Sequence, residues 1–206
     1  MEHNILITSV GGQGGMTLAR VLAEAAITQG LNVRVGETLG MAQRGGPVQS
    51  HVRIGEGIQG SVIPNGRCDV LLSLEPGEAV RVPEYLGPGT KAVVATAPVY
   101  PIPVMLGETK YPDLTAITRS LSRIGCIVHT LDAATLAREA QAPGSLNMVV
   151  LGAYAALRVG VLPSESLRSA IEEALPKRFL EANLRAFDSG FKAMEEQLAN
   201  RQFKVP

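Results

Sequence analysis

The sequence has no tryptophan, and only 4% of its residues are aromatic. Proteins that follow a nucleic acid strand stack its bases on aromatic rings, so that class is disfavoured. Nineteen basic residues cancel nineteen acidic ones, which leaves no overall field to draw in nucleic acid or a membrane surface. Cysteine is nearly absent: Cys68 and Cys126 stand alone, with no C-x-x-C pair. Neither a zinc ribbon nor a cysteine-held iron–sulfur cluster can be built from them. Buried, reduced thiols are expected, as in a cytoplasmic protein. The three histidines are isolated, with no H-x-x-E or H-E-x-x-H spacing, so no metal site is expected. No apolar run reaches the ~18 residues of a membrane span, and the first residues carry neither a charged n-region nor a cleavage site. No repeat, low-complexity segment or linker divides the chain, so a single domain over residues 1–206 is expected.

What is present fits a globular α/β protein: 46% hydrophobic and 18% charged residues. Asn4–Val10 is an apolar run that ends in glycines, a buried first strand. Thr17 to Gln29 has an apolar helical face of Leu18, Val21, Leu22 and Ala25, stopped by Gly30. Leu31–Val35 follows as a second strand, completing a βαβ unit. Pro47–Ile54 and Ile58–Ile63, joined by Gly55-Glu56-Gly57, read as a hairpin. Val70–Leu74, Ala92–Thr96 and Cys126–Leu131 are further strands. Pro98, Pro101 and Pro103 predict an extended connector that cannot be helix. Asp113 and Asp132 are N-caps of helices. Ser145–Val159 reads as a buried helix with Asn147, a cap or a buried amide, at its start. The expected fold is a three-layer Rossmann-like α/β sheet, mostly parallel with an antiparallel hairpin, plus C-terminal helices.

In the last helix, Leu180, Leu184, Phe187, Phe191, Met194 and Leu198 are spaced by four, three, four, three and four. That stripe either covers the chain's own core or forms a partner-facing seam over residues 176–200.

Two stretches stand apart from core patterning. Gly11, Gly12, Gln13, Gly14 and Gly15 link a strand to a helix, a turn whose free N–H groups and helix dipole suit phosphate or carboxylate. Residues 37–53, ETLGMAQRGGPVQSHVR, gather Gln43, Arg44, Gln49, Ser50, His51 and Arg53 around Gly45-Gly46. This is either a solvated loop or an anion or partner site, since glycines let backbone approach closely. Ser50 and His51 are strand neighbours whose side chains point to opposite faces, so they make a poor fragment of a nucleophilic triad. Glu37 sits about where a ribose-binding acid would end the second strand, but G-x-G-x-x-G fails at Thr17. The simpler reading is a strand-end carboxylate pairing with a nearby Arg such as Arg44. Glu75 lies at a strand's carboxyl end, either on the ligand edge or as a charge at a helix N-terminus. His129 reads as a satisfied sheet residue.

Taken together, VGGQGG, GETLGMAQRGGPVQSHVRIG and CDVLLSLEPGEAVR resemble the gamma-type module of the 2-oxoacid:ferredoxin oxidoreductases over nearly the whole chain. The MAQRGG…SHVRIG run is the specific part; the glycine loop alone is weak. The resemblance implies an accessory subunit with no catalytic residue of its own. It implies a large alpha subunit carrying thiamine diphosphate, magnesium and [4Fe–4S] clusters, with ferredoxin reached through the complex. The GDG…N motif that holds thiamine diphosphate is absent here, which agrees with that division. The implied substrate is an aryl pyruvate such as indolepyruvate, with coenzyme A shared between the subunits. On that reading Gly11–Gly15, Glu37, Gln43, Arg44, Gly45, Gly46, Ser50 and Glu75 are the candidate ligand contacts. Asn147 would lie beside the glycine loop. When isolated, the subunit could pair with itself. Two alternatives stay open: a stand-alone Rossmann-like nucleotide-binding oxidoreductase, and a purely structural docking subunit.

Overall fold

Alternating apolar strands and amphipathic helices leave one economical arrangement, a sheet buried on both faces. In the computed structural model, which describes residues 2–39 and 45–202, that sheet has six strands. In chain order they are β1 (His3–Val10), β2 (Val33–Leu39), β3 (Pro47–Ile54), β4 (Val70–Ser73), β5 (Lys91–Ala95) and β6 (Ile127–Leu131), arranged in space as β2-β3-β1-β4-β5-β6. The pairs β1–β4, β4–β5 and β5–β6 are parallel; β1–β3 and β2–β3 are antiparallel. β1 is buried at every position, as expected of a central strand covered on both faces.

Strand alternation assigns the layers. Ile5, Ile7, Val52, Ile54, Val70 and Leu72 face one side. They meet α1 (Gly15–Thr28), α5 (Ala133–Glu139), α6 (Leu146–Ala156), α7 (Ser164–Ala174) and α8 (Lys177–Gln202). Leu6, Leu71, Ala92 and Val94 face the other side. There they meet α2 (Pro76–Ala79) and α4 (Leu114–Ile124). Asp113 and Asp132 cap their helices, accepting from Ala116 N and Thr135 N. The remaining helix is a single turn, α3 (Ile102–Met105). The helical stripe of α8 covers the chain's own core: Phe187 and Met194 are buried, and Leu180, Leu184, Phe191 and Leu198 pack against the larger core.

Three local expectations are corrected. Ile58–Ile63 is not a strand, and the hairpin pairs β2 with β3 instead. The carbonyls of Ile58 and Gly60 accept from Arg34 Nε (2.8 Å) and Arg53 Nη1 (2.9 Å), so guanidinium groups replace a neighbouring strand. β2 and β1 do not form an adjacent βαβ pair, because β3 lies between them. The Pro98–Pro103 connector does contain helix: Pro101 is the N-cap of α3 and Pro103 falls in its first turn, where a missing N–H breaks no helical bond.

All three histidines are buried, His3 on β1, His51 on β3 and His129 on β6. His51 Nδ1 accepts from Ile63 N (3.3 Å), its ring meets Tyr85 edge-on, and its Nε2 has no hydrogen-bond partner among the described residues. Burial lowers the His51 pKa, partly offset by Glu84. His3, held by Tyr154 and Asp69, is lowered by burial and partly raised by Asp69. A folded-state pKa below the unfolded value of about 6.5 means that the unfolded chain binds more protons in acid. The stability from both residues is therefore complete above about pH 6.5 and is lost as pH falls through the folded values. The melting temperature should fall between pH 7 and about 5, and His51→Phe should show a shallower slope over that interval. A slope unchanged by the substitution would count against His51 as a source.

Candidate functional site: the carboxyl edge of the sheet

β1, β4, β5 and β6 run parallel, so their carboxyl ends share one edge. The registers Val10↔Pro47 and Leu39↔Val48 bring the end of β2 and the start of β3 to that edge as well. After β1 the chain turns to the face of α1, and after β4 to the opposite face, of α2. The carboxyl ends of β1 and β4 therefore flank a topological switch point, where open α/β sheets bind ligands.

The glycine loop is built across that point. Gly12 and Gly14 have φ of +103° and +84°, conformations that side chains resist. Gly14 is the left-handed N-cap of α1 and offers no side chain to cap it, so the first-turn N–H groups have no capping acceptor. Gln13 braces the loop: its Oε1 accepts from Val10 N (2.8 Å), and its Nε2 donates to Leu74 O (3.1 Å). A Cβ at Gly15 would lie 2.5 Å from Ser9 Oγ, so glycine is what lets α1 sit this close to β1.

Two distant segments complete the setting. Asn147, in the first turn of α6, donates from Nδ2 to Gly14 O (3.1 Å), and its Oδ1 accepts from Met148 N. Gly11 N donates to Gly46 O (2.9 Å), which ties the glycine loop to the second special stretch. A cleft of about 580 Å³ opens beside the loop, lined by Gly12, Gly14, Thr17, Ser145, Asn147 and Phe179 among others.

The candidate residues thus separate into groups. Gly11–Gly15, Gly45 and Gly46 share the edge. Gln43 and Arg44 lie outside the described residues. Glu37 is exposed on β2, paired with Ser50 and separated from β1 by β3, so the ribose-reading geometry of a dinucleotide fold is not formed. Ser50 is fully buried on β3, and its hydroxyl has no partner among the described residues. His129 is buried and bonded to Gln197 of α8 (3.2 Å).

Glu75 takes a different part, away from the cleft lining. It is 2% exposed and caps α2, accepting from Glu78 N (2.9 Å), Val99 N (3.1 Å) and Tyr111 Oη (2.5 Å). Tyr111 also accepts from Gly77 N (2.8 Å). Burial first, then the hydrogen bond to Glu75, raises the Tyr111 pKa, so the phenol stays protonated and donates. This carboxylate anchors a segment that is otherwise exposed and apolar: Val99, Tyr100, Ile102, Met105 and Leu106. Glu75→Gln sets an amide N–H against one of these donors. A loss of about 1–3 kcal/mol in urea unfolding is expected, with faster proteolysis within residues 99–111. Proteolysis at the wild-type rate would show that the segment is held by other contacts.

Sequence reasoning did not single out Ser145, Tyr111, Phe179 or Asn183. Only Phe179 left a signal: it is an aromatic residue beside, not on, the apolar stripe of α8.

The fold and this edge define an α/β ligand-crevice protein with a braced glycine loop and, among the described residues at this edge, no paired acid and base. The chain belongs to the pyruvate ferredoxin/flavodoxin oxidoreductase family, whose pattern matches residues 4–193. It is 39% identical to indolepyruvate oxidoreductase subunit IorB of Thermococcus kodakarensis over 198 residues, 96% of this chain and 98% of that protein. Identity to the IorB subunit of Methanothermobacter thermautotrophicus is 40% over 196 residues, 95% of this chain and all of that one. The fold matches the crystal structure of a keto/oxoacid ferredoxin oxidoreductase gamma subunit from Geobacter sulfurreducens (TM-score 0.69, 25% identity, 93% of this chain and 98% of that one).

Proposed function

We propose that this chain is the accessory subunit of an aryl-pyruvate:ferredoxin oxidoreductase and that indolepyruvate is its 2-oxoacid. The observation that carries this reading is the near-full-length similarity to the IorB subunits. The complex would convert the aryl pyruvate, coenzyme A and oxidised ferredoxin to the aryl-acetyl-CoA, carbon dioxide and reduced ferredoxin. It would do so in the cytoplasm; among the described residues no helix is long and apolar enough to cross a membrane.

The residues of this chain do not fit the redox groups that such a reaction uses. Cys68 and Cys126 are buried single thiols; burial pushes the Cys68 pKa up to about 12, and a cluster needs thiolates. Among the described residues no group of three His, Cys, Asp or Glu side chains could hold a metal ion. Thiamine diphosphate, magnesium and [4Fe–4S] clusters therefore belong on the large alpha subunit in this reading. The exposed apolar segment 99–106 at the same edge supports a partner surface there.

This chain's own task is to complete the wall of the active site. The N–H groups at the start of α1 and the Arg44 guanidinium would meet the phosphates of coenzyme A. Arg44→Ala should raise the KM for coenzyme A about tenfold with little change in kcat, the pattern of lost uniform binding. An unchanged KM would remove Arg44 from the site.

The test of the whole reading is anaerobic reduction of a viologen dye by indolepyruvate and coenzyme A. The large subunit would be co-expressed with and without this chain. Activity only with both supports the proposal. Full activity from the large subunit alone would leave this chain a docking or nucleotide-binding protein.

A further inference from the structure

A cleft of about 960 Å³ opens at the amino edge of the sheet, at the opposite end of β1 from the glycine loop. Its floor is a network of engaged polar groups. Asn4 Oδ1 accepts from Arg53 Nε (2.9 Å), Asn4 Nδ2 donates to Arg67 O (3.0 Å), and Asn4 N donates to Asp69 Oδ2 (2.7 Å). Thr90 Oγ1 donates to Cys68 O (2.7 Å). These bonds tie the starts of β1, β4 and β5 together, so the walls are set by the fold.

The charges above that floor do not cancel. Arg53, Arg67 and Lys91 line the cleft against Glu2 and Asp69. Both carboxylates are engaged: Glu2 pairs with Arg53 Nη2 (3.0 Å), and Asp69 holds the Asn4 N–H. Arg67 and Lys91 make no ion pair and no side-chain hydrogen bond among the described residues. The N–H groups of Val159 and Gly160, which border the cleft after α6, have no acceptor among the described residues. One exposed cation is simply solvated; two beside unused backbone donors in a walled cleft attract an anion.

His3 adds a third group. It is 5% exposed and lines the same cleft. Its Nε2 meets Tyr154 Oη (3.1 Å), and its Nδ1 lies 3.7 Å from Asp69 Oδ2, beyond hydrogen-bond reach. Gly160 closes against the ring, where a Cβ would lie 2.2 Å from Nε2. Its register partner on β3, Ile54, is uncharged. Burial holds the imidazole neutral, with Asp69 opposing and Lys91 reinforcing. Burial also raises the Tyr154 pKa, so that phenol stays neutral. An anion seated against Lys91 cancels the repulsion from that cation and favours the imidazolium.

We propose that the amino-edge cleft is a binding site for a small dianion, with one acidic group held by Arg67 and the other by Lys91 beside His3. Binding draws a proton onto His3, so affinity rises as pH falls.

The test is NMR titration of the full chain with propane-1,3-disulfonate, whose two groups keep their charge with pH, and with methanesulfonate, which has one group. Amide signals of residues 66–69, 89–91 and 159–160 should shift. The disulfonate should bind about tenfold more tightly than the monosulfonate. Arg67→Gln and Lys91→Gln should each weaken it about fivefold, with melting unchanged. Wild-type affinity should improve about threefold between pH 7.5 and about 5.5. His3→Gln, which keeps a partner for Tyr154, should flatten that slope.

No shift at these residues, equal affinity for the two probes, or undiminished binding by both charge variants overturns the site. Shifts confined to residues 11–17 place the anion at the glycine loop and overturn it as well. Wild-type affinity that does not change with pH overturns the contact with His3. Displacement of the disulfonate by glutarate but not by propane-1,3-diol bisphosphate supports a dicarboxylate as the ligand, and the reverse supports a phosphate ester. Displacement by neither overturns the assignment.

Discussion

Gly152→Ala should lower stability by about 3 kcal/mol, although alanine is the better helix former. At an unhindered helical position the same change would stabilise by roughly 0.8–1 kcal/mol. Here the added Cβ would lie 1.9 Å from the carbonyl oxygen of Phe187 and 2.8 Å from Phe191 N. Backbone cannot rotate away as a side chain can, so α8 must retreat by roughly 1 Å along this crossing. Gly190 is the reciprocal contact, with a Cβ that would meet Val149 O at 1.9 Å. The retreat would loosen Phe187 and Met194 from the larger core. A chain of this size should lose about 6–12 °C in Tm for such a change. Scanning calorimetry of Gly152→Ala and Gly190→Ala separately checks it. A Tm equal to or above wild type for either would mean that the two helices are not in backbone contact.

Gly14→Ala should impair the site more than the fold. Its φ of +84° costs an L-residue about 1–2 kcal/mol. Its Cβ would also sit 2.5 Å from Asn147 Nδ2, breaking the hydrogen bond to Gly14 O, worth about 0.5–1.5 kcal/mol. The total is tolerable for a domain of ordinary stability. The consequence for binding is larger, because Asn147 would be pushed toward the cleft that both residues line. In the reconstituted complex the KM for coenzyme A should rise at least tenfold with kcat little changed. Gly30→Ala is the control: it has a comparable φ of +70°, but nothing lies within 4 Å of the added Cβ. It should cost similar backbone strain and leave the KM alone. If both variants raise the KM equally, general destabilisation explains the effect and Gly14 has no special place.

Much of this molecule was legible in the chain. The run Ile5–Val10 followed by glycines announced the first strand and the anion-facing turn. Asp113 and Asp132 announced their helices, because capping is decided within a few residues. The stripe on α8 announced an apolar face. These are local matters, fixed by φ/ψ preference, periodicity and side chains that reach their own backbone.

Pairing and depth were not legible. Ile58–Ile63 had the look of a strand, but Arg34 and Arg53 took its carbonyls while β2, a mostly exposed edge, paired with β3. Glu75 carried two readings, ligand edge or helix N-terminus; it caps α2, and only its depth shows that it also accepts from Tyr111 and Val99. Phe179 and Asn183 carried no motif, and only the packing of α8 brings them to the rim of the glycine loop's cleft. By itself the sequence determined the layers, the glycine turn and the family. Only the tertiary structure decided which strands pair, how close α6 lies to α8, and by which hydrogen bond Asn147, placed beside the loop by the family resemblance, holds Gly14. Those outcomes depend on contacts between segments distant in the chain, whose energies no local window of residues contains.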